Sequence, residues 1–317
     1  MSPKKVLAVF GVTGNQGGSV VDSILKDASV SEQFEIRGIT RDPTKPSAIA
    51  LAERGITLVK ADLDDKDSLR AGLKNAHTVF AVTNWQEVLN KEKEIKQGKN
   101  IADIAKALDI QHLIWSSLPN VTRITQGKIT GVLHFDSKAV VEDYIRSLAI
   151  PATFLQLAVF MEQLPLMLVP TSPDAKSYKF ITPVATSTKF PLISVQPDTG
   201  EYVKSIILNR QAMLGKEVMG GERDYTVQEV ADILVRVGGL DVVAEQCSYD
   251  EYKDMLKAFG LPEFVADDMS ENMKFIEDYG FFGGAKVEED HSILSGSLET
   301  FEQWVVKSPQ IAAMKQG

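Results

Sequence analysis

Along the first half of the chain, short runs of apolar and β-branched residues alternate with stretches in which apolar side chains recur every three or four positions. Val6–Phe10, Phe34–Thr40, Ile56–Ala61, His77–Val82, His112–Ser116 and Ala152–Leu157 read as strands. Between them lie helical patterns: one near Gly18–Lys26, one opening at Asp64–Ser68, then Glu92–Leu108 and Phe135–Leu148. Acidic residues at 64–68 suit the positive end of a helix. In Glu92–Leu108, the residues Ile95, Ile101, Ile104, Ala105 and Leu108 form a buried stripe, and Lys91-Glu92-Lys93-Glu94 reads as a solvated helix face. Strand and helix in strict alternation mark βαβ units and a parallel sheet.

After about residue 158 the alternation stops. Pro165, Pro170, Pro173, Pro183, Pro191 and Pro197 punctuate a loop-rich stretch that cannot simply continue a wound sheet. Helical patterns return at Gly200–Leu208, Thr226–Val237, Tyr249–Phe259, Pro262–Tyr279 and Ser297–Lys307, with Tyr249, Phe259, Phe281 and Phe282 read as packing among them. The expected architecture is α/β: a doubly wound parallel sheet from residues 1–157 and a smaller, mainly helical C-terminal lobe from 158–317. Segments of the second part are free to return to the sheet.

Composition narrows the partners. The 317 residues are 44% apolar and 24% charged, enough for a sizeable core. A net charge of -9 argues against direct nucleic-acid binding, which calls for a basic surface. The single Cys247 excludes an intramolecular disulfide and a cysteine metal cluster, and His77, His112 and His291 lack metal-ligand spacing, so no metal is expected. No stretch reaches the ~20 apolar residues of a membrane span, and the apolar run after MSPKK is short and broken by glycine. The expectation is a cytosolic protein that does not engage membranes, with the nucleus left open.

Strand Val6–Phe10 runs into Gly11-Val12-Thr13-Gly14-Asn15-Gln16-Gly17, and a helical pattern follows. The first glycine permits a tight turn, the second a close backbone approach to a pyrophosphate, the third close helix–sheet packing. Amides at the following helix start then face phosphate, with Thr13, Asn15 and Gln16 lining the turn. Strand, glycine turn and helix together predict a Rossmann dinucleotide site rather than a bare turn.

The end of the second strand selects the dinucleotide. An acid there serves the ribose hydroxyls of NAD, whereas an arginine accommodates the 2′-phosphate of NADP. The chain has Thr40-Arg41-Asp42, so Arg41 favours NADP(H), while Asp42 keeps NAD open and a plain loop charge is the bland alternative. Asp62, after the third strand, either accepts from the adenine amino group or caps the next helix. Thr83 and Asn84 follow the fourth strand at the ligand-binding edge, as contacts to the cofactor or an ordinary loop, and Trp85 beside them is a wall of the same space.

Taken together, Gly11–Gly17, Thr40-Arg41-Asp42 and Ala61-Asp62-Leu63 resemble the NmrA-like family, atypical members of the short-chain dehydrogenase/reductase superfamily. Leu133-His134-Phe135-Asp136-Ser137-Lys138, Pro151–Leu164 and Pro191-Leu192-Ile193-Ser194-Val195 carry the same likeness. The resemblance implies NADP(H) binding and either a redox-sensing regulator or a reductase. A working short-chain reductase uses tyrosine and lysine one helical turn apart, with a serine steadying the substrate oxygen. Here that spacing holds His134 and Lys138, Tyr144 lies out of register, and the serine place falls to Ser116 or Ser117.

Two readings follow from that likeness. In one, Lys138 grips the nicotinamide ribose, and the protein reports cofactor state to a protein partner with weak or no dehydrogenase activity. In the other, His134 acts as the acid and Lys138 assists it in an NADPH-dependent reductase of a small carbonyl, quinone or imine. A capping or packing role for His134, a solvated Lys138, and Phe160, Met161 and Leu164 as pocket wall or plain core complete the options.

Overall fold

The computed structural model describes residues 3–172 and 177–316, so Pro173 lies outside the described residues. Six strands from the first half form parallel neighbours: β1 (Lys5–Val9), β2 (Phe34–Thr40), β3 (Thr57–Lys60), β4 (Ala76–Ala81), β5 (His112–Ser117) and β6 (Ala152–Leu157). Each lies within a residue of the run read from the pattern. A seventh, β7 (Glu217–Gly220), comes from the second half and pairs in parallel with Phe154–Leu157. The order is β7-β6-β5-β4-β1-β2-β3, with β1 beside β2 on one side and β4 on the other.

That order explains the composition of the strands. Leu7 and Val9 face one core with Phe80, Ile114 and Leu155, while Val6 and Ala8 face the other with Val79, Leu113 and Trp115. A parallel sheet is covered on both faces, so neither set can be polar. Helices α1 (Asn15–Lys26), α2 (Pro46–Glu53), α3 (Lys66–Leu73), α4 (Lys91–Ala107) and α5 (Leu133–Ser147) supply the crossovers and outer layers. α2 has no counterpart in the sequence expectations, because its Pro-Ser-Ala-Ile-Ala-Leu-Ala-Glu run carries little apolar periodicity.

Beyond β6 the described residues make two small three-stranded sheets. One joins Val159–Phe160, Lys189–Ile193 and Arg223–Thr226; the other joins Leu168–Pro170, Ser177–Thr182 and Asp241–Gln246. Helices α6 (Val195–Leu208) and α7 (Glu263–Tyr279) accompany them. α6 starts five residues before the expected Gly200, because that glycine is a packing device rather than a boundary. A Cβ there would come within 2.2 Å of the Ser19 carbonyl oxygen on α1, so only glycine lets the two helices approach so closely. The last expected helix, by contrast, starts late, at Phe301, behind a capping box of Thr300 and Gln303. Of the aromatics read as packing, Phe281 and Phe282 are buried, but Phe259 is 57% exposed at a helix end and packs little.

The reversal of strand order between β1 and β4 opens a crevice at their carboxyl ends, where wound sheets hold ligands. Gly11, Arg41 and Thr83 follow β1, β2 and β4 at this edge.

Candidate functional site

The glycine turn has the shape its spacing requires. Gly11 has φ +60°, a left-handed conformation that costs a side chain dearly. Gly14 closes the turn through its amide onto the Gly11 carbonyl at 2.8 Å, and serves as N-cap of α1. A Cβ on Gly17 would lie 2.3 Å from the same carbonyl oxygen. The cradle therefore exists only because residue 17 has no side chain. Thr13, Gly14 and Asn15 are exposed along it, and no side chain among the described residues caps the α1 N-terminus. Its positive end is free to take an anion.

Gln16 turns the other way, accepting from the Ser116 hydroxyl at 2.9 Å and tying the turn to the end of β5. Ser117 donates instead to Glu142, 2.6 Å away. Burial pushes the Glu142 carboxyl up to about 7, against the opposing pull of Ser117 and Arg146.

At the end of β2, Arg41 projects into solvent and forks onto Glu87: both terminal nitrogens meet the two carboxylate oxygens, Nη2–Oε2 at 3.0 Å. Its hydrogen bond to Glu87 raises its pKa further. Asp42 is held by its own loop, accepting from the Thr44 amide at 2.9 Å and from the Thr44 hydroxyl, which keeps its carboxyl below the usual range. The Asp62 carboxylate accepts from the Asp64 amide, while Asp65 is the residue that caps α3. Asp62 thus shapes the loop leading into the helix and stays exposed.

Lys138 is neither solvated nor idle. Its ammonium donates 2.6 Å to Glu94 Oε1 and 2.9 Å to the Thr83 hydroxyl, with the Thr83 carbonyl at 3.3 Å. The Thr83 hydroxyl donates in turn to Glu94 at 2.8 Å, and Ser137 donates to the other Glu94 oxygen. The Glu94 side chain is fully buried. This corrects the reading of Lys91–Glu94 as a solvated face: Glu92 and Lys93 are exposed, but Glu94 points inward. The helix geometry explains it. Glu94, Ile101 and Ala105 share one stripe, and one turn below Glu94 a Cβ on Gly98 would meet Val141 at 2.5 Å. The close crossing of α4 and α5 at that glycine sets Glu94 beside Ser137 and Lys138.

One turn above Lys138, His134 is bound by a residue from the second half. Its Nδ1 bonds the Asp268 carboxylate, whose other oxygen accepts the Leu133 and His134 amides at 3.0 and 3.1 Å. Glu271 accepts the Gly131 amide at 2.7 Å. Two carboxylates of α7 thereby occupy the positive end of α5, in favourable register with its dipole. Asp268, not the histidine, caps the helix. The His134 ring is partly open to solvent and lies 6.1 Å from Trp85 and 4.7 Å from Phe135, centre to centre.

The remaining candidates sort quickly. Asn84 is exposed at the N-cap of the Trp85–Val88 turn. Met161 and Leu164 are core; Phe160 is half-buried. Tyr144 points to α4, where its hydroxyl meets Asp103 at 2.7 Å. His112 pairs with Thr153 at 2.9 Å, and burial pushes its pKa down to about 3. Cys247 is half-buried, with its thiol raised by burial. Among the described residues no cluster of histidine, cysteine or carboxylate side chains is arranged to hold a metal, and no helix is long and apolar enough to cross a membrane.

Glu87, Glu94, Asp268 and Glu271 are the site residues that sequence reasoning missed. Glu94 carried a signal, its place on the Ile101–Ala105 stripe. Asp268 lies 134 residues from His134 and carried none.

Comparison with known proteins finds relatives of similar sequence and fold. A model of the NmrA-like family matches residues 3–305. An NmrA-like family domain-containing oxidoreductase of Malbranchea aurantiaca is 30% identical over 252 residues, covering 74% of each chain. Among solved structures, Nmra, a negative transcriptional regulator, matches 98% of this chain and 97% of its own at 20% identity, with a TM-score of 0.81. A structure of Nmra in complex with NADP matches with a TM-score of 0.79 at 20% identity, over 99% and 98%. The Citrobacter sp. triphenylmethane reductase complexed with NADP(H) matches 96% of this chain and 99% of its own at 21% identity, with a TM-score of 0.74.

Proposed function

The chain belongs to the NmrA-like family, and we propose that it is an NADP(H)-binding protein that reports cofactor state to a protein partner, with weak or no dehydrogenase activity. The residues present fit the group. Gly11, Thr13, Gly14, Asn15 and Gly17 surround an open helix N-terminus suited to a pyrophosphate, in a turn that a Cβ at 17 would fill, while the Gln16 side chain, turned to Ser116, would brace that turn. Arg41 offers a fork to a 2′-phosphate, and Asp62 lies at the adenine side. Thr83, Asn84 and Lys138 stand on the nicotinamide side. When bound, the cofactor supplies a hydride donor or acceptor. NADP-bound Nmra and NADP(H)-bound triphenylmethane reductase support this reading by likeness of fold.

One observation carries the regulatory reading: an intact cradle stands beside reaction machinery that is absent or occupied. The tyrosine place holds a histidine, Lys138 is committed to buried Glu94, and the Ser116 hydroxyl is committed to Gln16. A partner would be gained or lost according to its differential affinity for the free and loaded forms. A small-molecule reductase is the second reading, favoured by the His134–Asp268 pair. With Nδ1 engaged by a buried carboxylate, the ring is oriented so that a proton carried on the other nitrogen would be available to a reacting oxygen.

Calorimetric titration with NADP+, NADPH and NAD+, beside NADPH oxidation with quinone, enone and imine acceptors, tests both. Saturable NADP(H) binding with negligible turnover is expected. Arg41→Ala should weaken NADP+ by ~1–3 kcal/mol and leave NAD+ nearly unchanged. Rapid NADPH oxidation that disappears in His134→Phe would replace the regulator with the reductase.

A further inference from the structure

We propose that Glu87 is a specificity-determining residue: an internal carboxylate that competes with the cofactor's 2′-phosphate for Arg41. The inference rests on the NADP(H) reading above and adds to it a residue that sets how strongly that phosphate is favoured. Arg41 is the first charged residue after β2, and its two terminal nitrogens are both engaged by Glu87. A guanidinium fork binds carboxylate and phosphate through the same pair of parallel N–H bonds. Glu87 therefore occupies the face that a phosphate would use. A dianion reaching the remaining N–H groups of the fork would sit beside the Glu87 carboxylate and be repelled by it.

The pair is also built to open. Side-chain exposure is 60% for Arg41 and 46% for Glu87, so water and salt screen it and its strength is small. Glu87 sits on the one-turn helix Trp85–Val88, which ends at Leu89 in a left-handed conformation with φ +43°. Losing the Arg41 contact frees that exposed side chain without touching the core. By contrast Asp42, the acid beside Arg41, is held by Thr44 in its own loop, and the Asp62 carboxylate accepts from the Asp64 amide. Glu87 alone among these acids forks onto the guanidinium. A dinucleotide lacking the 2′-phosphate does not compete for Arg41 and so leaves the pair closed.

The test is calorimetric titration of NADP+ and NAD+ into the wild type, Glu87→Gln, Arg41→Ala and the double variant, at low and moderate salt. Glu87→Gln should tighten NADP+ by about two- to fivefold, the range of an exposed ion pair, and leave NAD+ unchanged. In the Arg41→Ala background the same substitution should change neither. If Glu87→Gln leaves NADP+ affinity unchanged or weakens it while the wild type binds NADP+ normally, Glu87 is a bystander or a positioning partner and the proposal falls alone. A wild type that saturates with neither dinucleotide would remove the NADP(H) reading itself, and this inference with it.

Discussion

Replacing Glu94 by alanine strands the Lys138 ammonium in a site walled by the crossing of α4 and α5. The substitution deletes the acceptor at 2.6 Å from Lys138 and the one at 2.8 Å from Thr83, and it leaves Ser137 without its partner. Lys138 keeps only the Thr83 oxygens, and its side chain is 10% exposed. Breaking a buried pair by removing one member costs ~3–5 kcal/mol, because the charge left behind is uncompensated. Native domains hold only about 5–15 kcal/mol in total, so the loss is a large share. Glu94→Gln keeps an acceptor and the packing, and should cost less, roughly 1–3 kcal/mol. The control is Glu94→Leu with Lys138→Met, which removes both charges and should recover most of the loss. Urea unfolding followed by circular dichroism, fitted for midpoint and slope, reads all of these. If Glu94→Ala stays within ~1 kcal/mol of the wild type with an unchanged slope, the carboxylate is solvated and does not hold Lys138, Thr83 and Ser137 together.

Asp268→Ala uncovers the Leu133 and His134 amides and the His134 ring together, and should destabilise by ~1–3 kcal/mol, seen as a lower thermal midpoint; a change under ~0.5 kcal/mol would mean that water caps α5 as well as the carboxylate does. Gly17→Ala must displace the turn, since its Cβ would lie 2.3 Å from the Gly11 carbonyl; NADP+ affinity should fall at least about tenfold by calorimetry, and an unchanged affinity would remove the turn from the binding surface. Asp198 is buried, and that burial, with Glu299 and Glu162 nearby, pushes its carboxyl up to about 8. A carboxyl raised on folding binds its proton more tightly in the folded state, so its contribution to stability is full below about pH 4 and is lost as pH rises through about 8. Asp198→Asn should therefore be more stable than the wild type at pH 8.5, with the gap shrinking toward pH 4. A gap that does not vary with pH would refute the assignment.

Much of this protein is legible in its sequence. Apolar runs of period two or less against stripes of period three to four locate six strands and four of the helices between them, because a sheet covered on both faces leaves no other place for those residues. The Gly11–Gly17 turn was equally legible, since its glycines answer to local geometry: a positive φ at 11 and a van der Waals limit at 17. What tertiary structure alone decided is who meets whom. Glu217–Gly220 completing the sheet, Glu87 meeting Arg41 across 46 residues and Asp268 capping α5 across 134 all depend on how the layers stack. Glu94 stands between these cases. Its run read as a solvated face although it shares a stripe with Ile101 and Ala105, and only the glycine-mediated crossing of two helices supplied the lysine that makes a buried carboxylate tolerable. Local sequence dictates backbone conformation and which face is apolar; the partners of buried charges are chosen by packing, and packing is a property of the whole chain.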